Sequence, residues 1–275
     1  MKTVRSCLLL CLAAMAQEEN RRQIWNTEFL KQRPPAKKAA PARRPAPATA
    51  GFLLGVTVWR LRQVVASEPA GGTRLLVLEG GKRDEMVPER IESGTALKPG
   101  DRVRVTVEAP RAGYLYVVDR EQYASGKVGE PYLIYPNWQT KRGDNTMAAG
   151  RLIEIPDQHD EPNCFTIRPS RPDQIGELLT MLVTTEPLAG LAIGREPLRL
   201  RDEQYAEWEK KYGVPAQHFE LEGGAGKPWT PQEKRAGADH GSRLTQADPL
   251  PQTFYRVPDK AGPPILLNLP LKIKQ

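Results

Sequence analysis

The stretch from Lys98 to Asn137 constrains the fold more than any other part of the chain. Between Arg102 and Glu108, Val103, Val105 and Val107 alternate with Arg102, Arg104 and Thr106. A period of two in a β-branched run predicts a strand with one face buried and the other solvated. Pro99-Gly100-Asp101 before it and Pro110 to Gly113 after it are turn chemistry. Gly113 to Asp119 predicts a second strand, with Tyr114, Tyr116 and Val118 opposite Leu115 and Val117. A polar hairpin loop follows, then a third strand, Tyr132 to Tyr135, stopped by Pro136-Asn137. Three such strands need a second layer to cover their apolar faces.

The rest of the chain supplies that layer mostly from strands. Its 26 prolines and 23 glycines imply many turns and few long helices. Gly51 to Arg62 alternates, with Val56, Val58 and Leu61 separated by Thr57, Trp59, Arg60 and Arg62. Arg74–Leu78, Arg151–Ile155, Phe165–Ile167, Thr253–Val257 and Ile265–Ile273 also read as strands, and Pro270 assigns the last to an edge. Leu178 to Thr185 fits helix or strand, and its β-branched residues favour a buried strand. One helix is expected at Asp202–Tyr212, capped by Asp202, with Lys210 and Lys211 in its last turn and Gly213 beyond. A second starts at Thr230-Pro231-Gln232-Glu233, a capping box with proline at the first helical position. The expected fold is mainly β: a β-sandwich, immunoglobulin-like or related, over residues 51–275, with one or two short helices inserted.

The formal net charge of +7 is not spread over this body. Residues 1–16 carry Lys2 and Arg5 and no acid, and residues 17–50 carry eight basic against three acidic side chains, so residues 51–275 are neutral. A neutral body lacks the footprint that nucleic-acid binding needs. Lys2 and Arg5, the apolar run from Cys7 to Ala13 and Ala14-Met15-Ala16 follow the order of a secretory signal peptide, which predicts export to the periplasm or beyond. Cys11 follows Leu8-Leu9-Leu10 rather than a small residue, which disfavours a lipid anchor. No stretch approaches membrane-spanning length.

Residues 17–50 then read as a basic, Pro/Ala-rich disordered arm, with a short helix possible from Ile24 to Lys31. Lys37, Lys38, Arg43 and Arg44 suit an electrostatic tether to an anionic surface, and the same composition suits a plain spacer. After cleavage Cys164 stands alone, so no intramolecular disulfide forms, and a buried, small apolar role is its simplest reading.

The run GDRVRVTVEAPRAGYLYVVDREQY, followed by YLIYPN, GDN, AGRLIEIP, FTIRPS and ELLTMLVTTEPL, resembles the bacterial domain-of-unknown-function family 4384 (DUF4384). GVTVWRLR at the front and WTPQEKRAG with LTQADPLPQTFYRV at the back resemble its longer exported form in acidobacteria. The likeness covers about residues 51–275, with its core at about 96–188, and GYLYVVDRE is its most specific block. It implies a β-rich extracytoplasmic domain that acts in sensing or interaction, and it supplies no catalytic residues.

Chemical motifs are sparse. His159, His218 and His240 stand singly, without the clustered ligands zinc needs. Gly223 to Lys227 imitates a phosphate loop, but Leu221 occupies the first glycine position and Pro228 replaces the magnesium-binding Ser/Thr. The polar loop Asp119, Arg120 and Glu121 could gather oxygens for calcium, although Arg120 and Lys127 compete and the spacing is not that of an EF-hand. Tyr114, Tyr116, Tyr132, Tyr135 and Trp138 form either a stacking face or simply core.

These residues point to a non-enzymatic, cofactor-free, secreted or periplasmic module that binds an unidentified protein or a cell-envelope polymer. Two alternatives stay open. One is an envelope hydrolase whose acids, Asp119, Glu121 or Glu154, converge only on folding. The other is a structural subunit of a larger envelope complex.

Overall fold

The computed structural model describes residues 23, 26–36, 51–65, 73–238, 241–258 and 262–274. A short helix, α1 (residues 26–32), precedes β1 (Gly51–Gln63), β2 (Leu75–Glu79), β3 (Lys82–Ile91), β4 (Arg102–Glu108), β5 (Gly113–Tyr123) and β6 (Tyr132–Tyr135). Then come β7 (Thr146–Met147), β8 (Ile153–Ile155), β9 (Phe165–Thr166), β10 (Gln174–Thr184) and β11 (Leu198–Arg199). Helix α2 (Asp202–Tyr212), β12 (Gln217–Glu220), helix α3 (Pro231–Gly237), β13 (Thr253–Pro258) and β14 (Ile265–Lys272) complete the order.

Two antiparallel sheets form a β-sandwich. In the first, β1 pairs with β4 along one edge and with β13 and then β3 along the other, while β2, β8, β9 and β12 extend it. The second runs β11-β6-β5-β10-β14, with β7 on β5. Between them lies one apolar layer: Phe52, Leu54, Val56, Val58, Val103, Val105 and Val107 face Leu115, Val117, Met181, Val183, Leu267 and Leu269. The period-two pattern of the sequence thus sets the inner faces. Leu61 departs from the expected face, joining Trp59 in a cluster on the outer side of the first sheet. Pro270 sits on β14, an edge strand as expected.

The outer faces are covered too. Over the second sheet, Tyr205 of α2 packs against Tyr116, Val118, Leu182 and Leu266, and its hydroxyl lies 2.8 Å from Thr180 Oγ1. Asp202 opens the first turn of α2 rather than capping it; Arg201 is the N-cap and offers no side-chain bond. Over the first sheet lies the segment around α3, which begins with the expected Thr230–Glu233 capping box. Gly237 at its end allows close approach, because a Cβ there would collide with the Glu154 carboxylate at 1.9 Å.

This cover corrects the solvated face expected for β4. Arg104, Thr106 and Glu108 are all buried. Arg104 pairs with Glu154 at 2.9 Å and stacks on Trp229, and Arg90 of β3 pairs with Glu233 and stacks on Trp59. A charged residue at every second position reads as a wet face unless its countercharge arrives from a distant segment, as it does here.

The arm also needs correction over residues 26–36. Phe29 is fully buried against Phe254 and Leu53, with ring centroids of Phe29 and Phe254 5.2 Å apart. Arg33 forks onto Glu108 at 2.6 and 2.7 Å and donates to the carbonyls of Thr245, Asp248 and Pro249. The body therefore starts before Gly51. The signal-peptide reading of residues 1–16 and the tether residues Lys37, Lys38, Arg43 and Arg44 lie outside the described residues. Among the described residues no helix is long and apolar enough to cross a membrane.

Candidate functional site

On β5 the apolar register of Leu115 and Val117 continues as Asp119, Glu121 and Tyr123, and on β10 the register of Met181 and Leu179 continues as Glu177. Antiparallel pairing sets Glu121 directly opposite Glu177 and Asp119 opposite Leu179 on one side and Tyr132 on the other. Residues directly opposite share a face, with Cβ atoms roughly 5 Å apart. So where the apolar core ends, the inner face of the second sheet turns acidic.

A cleft of about 1050 Å³ opens over this patch. Its walls come from β5 and β10, the hairpin loop with Lys127, Val128 and Glu130, the 170–173 loop, Ile134 and Glu196. Glu177 accepts from Gln174 Nε2 at 2.6 Å, and Glu121 accepts from the Tyr123 hydroxyl. Asp119 Oδ1 and Glu177 Oε2 are shut off from bulk solvent and have no hydrogen-bond partner. Burial pushes the Asp119 carboxyl up to about 6, helped by the charge of Glu121 and opposed by the backbone N–H of Arg120. Burial, then the charges of Asp119 and Glu121, push Glu177 up to about 8. No basic side chain counts among the influences on either group. The Asp119–Glu177 pair therefore retains a proton near neutral pH, and Glu177, the more strongly raised of the two, is the better placed to hold it and donate a hydrogen bond.

The expected polar loop Asp119, Arg120 and Glu121 is part of strand β5, and the alternation splits it. Arg120 projects to the opposite face, where its guanidinium lies 4.7 Å from the Tyr205 ring centroid. Among the described residues no three His, Cys, Asp or Glu side chains gather closely enough to hold a metal ion. Glu154 does not join the cleft; it is fully buried against Arg104 under α3.

The five aromatics do not form one face. Tyr116 is buried under the 186–200 segment, its hydroxyl accepting from the Leu188 N–H at 2.7 Å, and Tyr114 packs beside it. Tyr135 lies between the sheets and donates to the Asp144 carbonyl at 3.0 Å. Tyr132 and Trp138 are exposed, and only Tyr132 lines the acidic cleft. Cys164 is buried beside Trp59 and Trp229, and burial pushes its thiol up to about 11.

His218, expected to stand alone, lies on β12 beside Ser93 and Glu220. Ser93 Oγ is 3.0 Å and Glu220 Oε1 2.9 Å from the same His218 nitrogen, Nε2, and Ser93 Oγ donates directly to Glu220 at 2.6 Å. A nucleophile relay needs serine and carboxylate on opposite ring nitrogens, so this cluster is a structural knot rather than a triad. The Gly223–Lys227 stretch is a turn tied to β3, its Gly226 N–H donating to the Arg90 carbonyl and Lys227 accepting from Arg90.

Sequence reasoning missed Glu177. The signal was present: an acid occupying the core-facing register of a strand at its end, as in Glu177-x-Leu179-x-Met181. Comparison with models of protein families, with curated proteins and with solved structures finds no match.

Proposed function

We propose that this chain is an exported ligand-binding β-sandwich of the cell envelope, with its ligand seat in the acidic cleft over β5 and β10. The leader-like order of residues 1–16 and the neutral body support export and argue against a nucleic-acid partner. The observation that carries the seat is the pair of unpartnered carboxyl oxygens on Asp119 and Glu177. Buried polar atoms are nearly always satisfied, and of the exceptions in this chain these two belong to side chains that line an open cleft, where a ligand's donor can complete the set. The cleft volume lies at the upper end of the range for small-molecule sites.

The test is backbone-amide NMR of the mature chain titrated with soluble fragments of digested cell wall. Saturable shifts confined to residues 119–132 and 174–177 support the seat. Shifts confined elsewhere, or none, overturn it.

A second reading has one observation in its favour. Two neighbouring carboxyls displaced to about 6 and about 8 are the pairing that general acid–base hydrolysis uses. On that reading Glu177 donates the proton and Asp119 acts as base or nucleophile. Release of soluble fragments from cell-wall polymer, abolished by Glu177→Gln, would support it; no release by the unaltered protein would remove it.

A further inference from the structure

We propose that the cleft takes a small ligand carrying a primary ammonium on an aliphatic stem, the ammonium seated between Asp119, Glu121 and Glu177. This rests on the cleft being the ligand seat and adds the ligand's chemistry.

The charge balance of the cleft leads there. Its acids are Asp119, Glu121, Glu130, Asp173, Glu177 and Glu196, and its bases are Lys127 and Arg171. Arg171 is already engaged, paired with Asp173 at 3.1 Å and stacked 4.5 Å from the centroid of Tyr123. Glu130 is likewise satisfied by Arg199 at 2.7 Å. Lys127 is exposed on the hairpin loop. The only other charged side chain on β5 nearby, Arg120, faces away and stacks on Tyr205. Glu196 is exposed on its loop, so Asp119, Glu121 and Glu177 are left together on the sheet with no basic partner among the described residues. Glu121 and Glu177 stand directly opposite one another, so the three acids can all ionise only against mutual repulsion, and a bound cation removes that cost.

The shape selects among cations. Calcium takes six to eight oxygen ligands, and among the described residues no three acids gather tightly enough to hold a metal ion. An ammonium needs only three acceptors at hydrogen-bond distance, and Asp119 Oδ1 and Glu177 Oε2 are two without partners. Beyond the acids the walls turn apolar, with Val128, Tyr132 and Ile134 offering methylene-sized contacts to a stem. The cationic guest and the protons on the carboxyls compete for the same oxygens, so seating the ammonium expels a proton from Glu177.

The probe is pentane-1,5-diamine, with pentane-1,5-diol as its uncharged counterpart, each titrated into the mature protein and followed by amide NMR at pH 5.5, 7 and 8.5. The expected result is binding of the diamine at residues 119–132 and 174–177, tightening as pH rises by up to about tenfold per pH unit until about 8, with no binding of the diol. Glu177→Gln, which keeps the side-chain shape and removes the titrating charge, should weaken the diamine at pH 8.5 about tenfold and flatten the pH dependence. If the diol or cell-wall fragments occupy the cleft and the diamine does not, the ammonium assignment is overturned while the seat stands. If no probe perturbs the cleft, both fall.

Discussion

Arg33 donates through every nitrogen of its guanidinium, to the Glu108 carboxylate and to three backbone carbonyls, in a site closed to solvent. Such a pair adds little net stability relative to well-packed apolar side chains, but losing one partner leaves the other charge buried alone. Arg33→Met should therefore cost about 3–5 kcal/mol in urea unfolding, and adding Glu108→Leu to it should recover much of the loss. Equal destabilisation by the single and double variants would mean that packing around Phe29, not the charge pair, holds the segment. The sequence places Arg33 at the start of a solvated run because its partners lie 75 and more than 200 residues away. Nothing local in Lys31-Gln32-Arg33-Pro34 announces them.

At the scale of elements, the legible parts were those with local causes. The alternation in β1 (Leu61 excepted), β4 and β5, the capping box of α3 and the proline on β14 each follow from neighbours in sequence, and each appears where the residues place it. What lay beyond reading was which face would be covered. Trp59 and Arg104, cross-strand partners on β1 and β4, look like an outer face and become a second core once Trp229 and α3 close over them. Residues 26–36 are part of that cover: Gly55 lacks a side chain where Pro251 and Phe29 approach, since a Cβ there would meet Pro251 at 2.4 Å. Phe29→Ala should cost about 3–5 kcal/mol, measured by thermal or urea unfolding; a change under about 0.5 kcal/mol, typical of surface sites, would detach this segment from the body. A tether experiment should accordingly neutralise Lys37, Lys38, Arg43 and Arg44 rather than delete everything before Gly51.

For the whole molecule, the acidic cleft ties stability to pH. Asp119 and Glu177 have folded-state values raised above those of the unfolded chain, so the folded state holds extra protons between about pH 4 and 8. Their contribution is fully present below the unfolded values and is lost as pH rises through about 6 and then about 8. Glu177→Gln removes the larger of the two, so its stability relative to the parent should grow from pH 5 to pH 8 by up to about 1.4 kcal/mol per pH unit. A constant difference across that range would place the Glu177 carboxyl in water. The most direct measurement is a carbon-13 NMR titration of the side-chain carboxyls of the unliganded protein. Midpoints near 6 for Asp119 and near 8 for Glu177 are predicted. If both titrate near 4 like ordinary surface acids, the cleft holds no uncompensated pair and the proposed seat is contradicted.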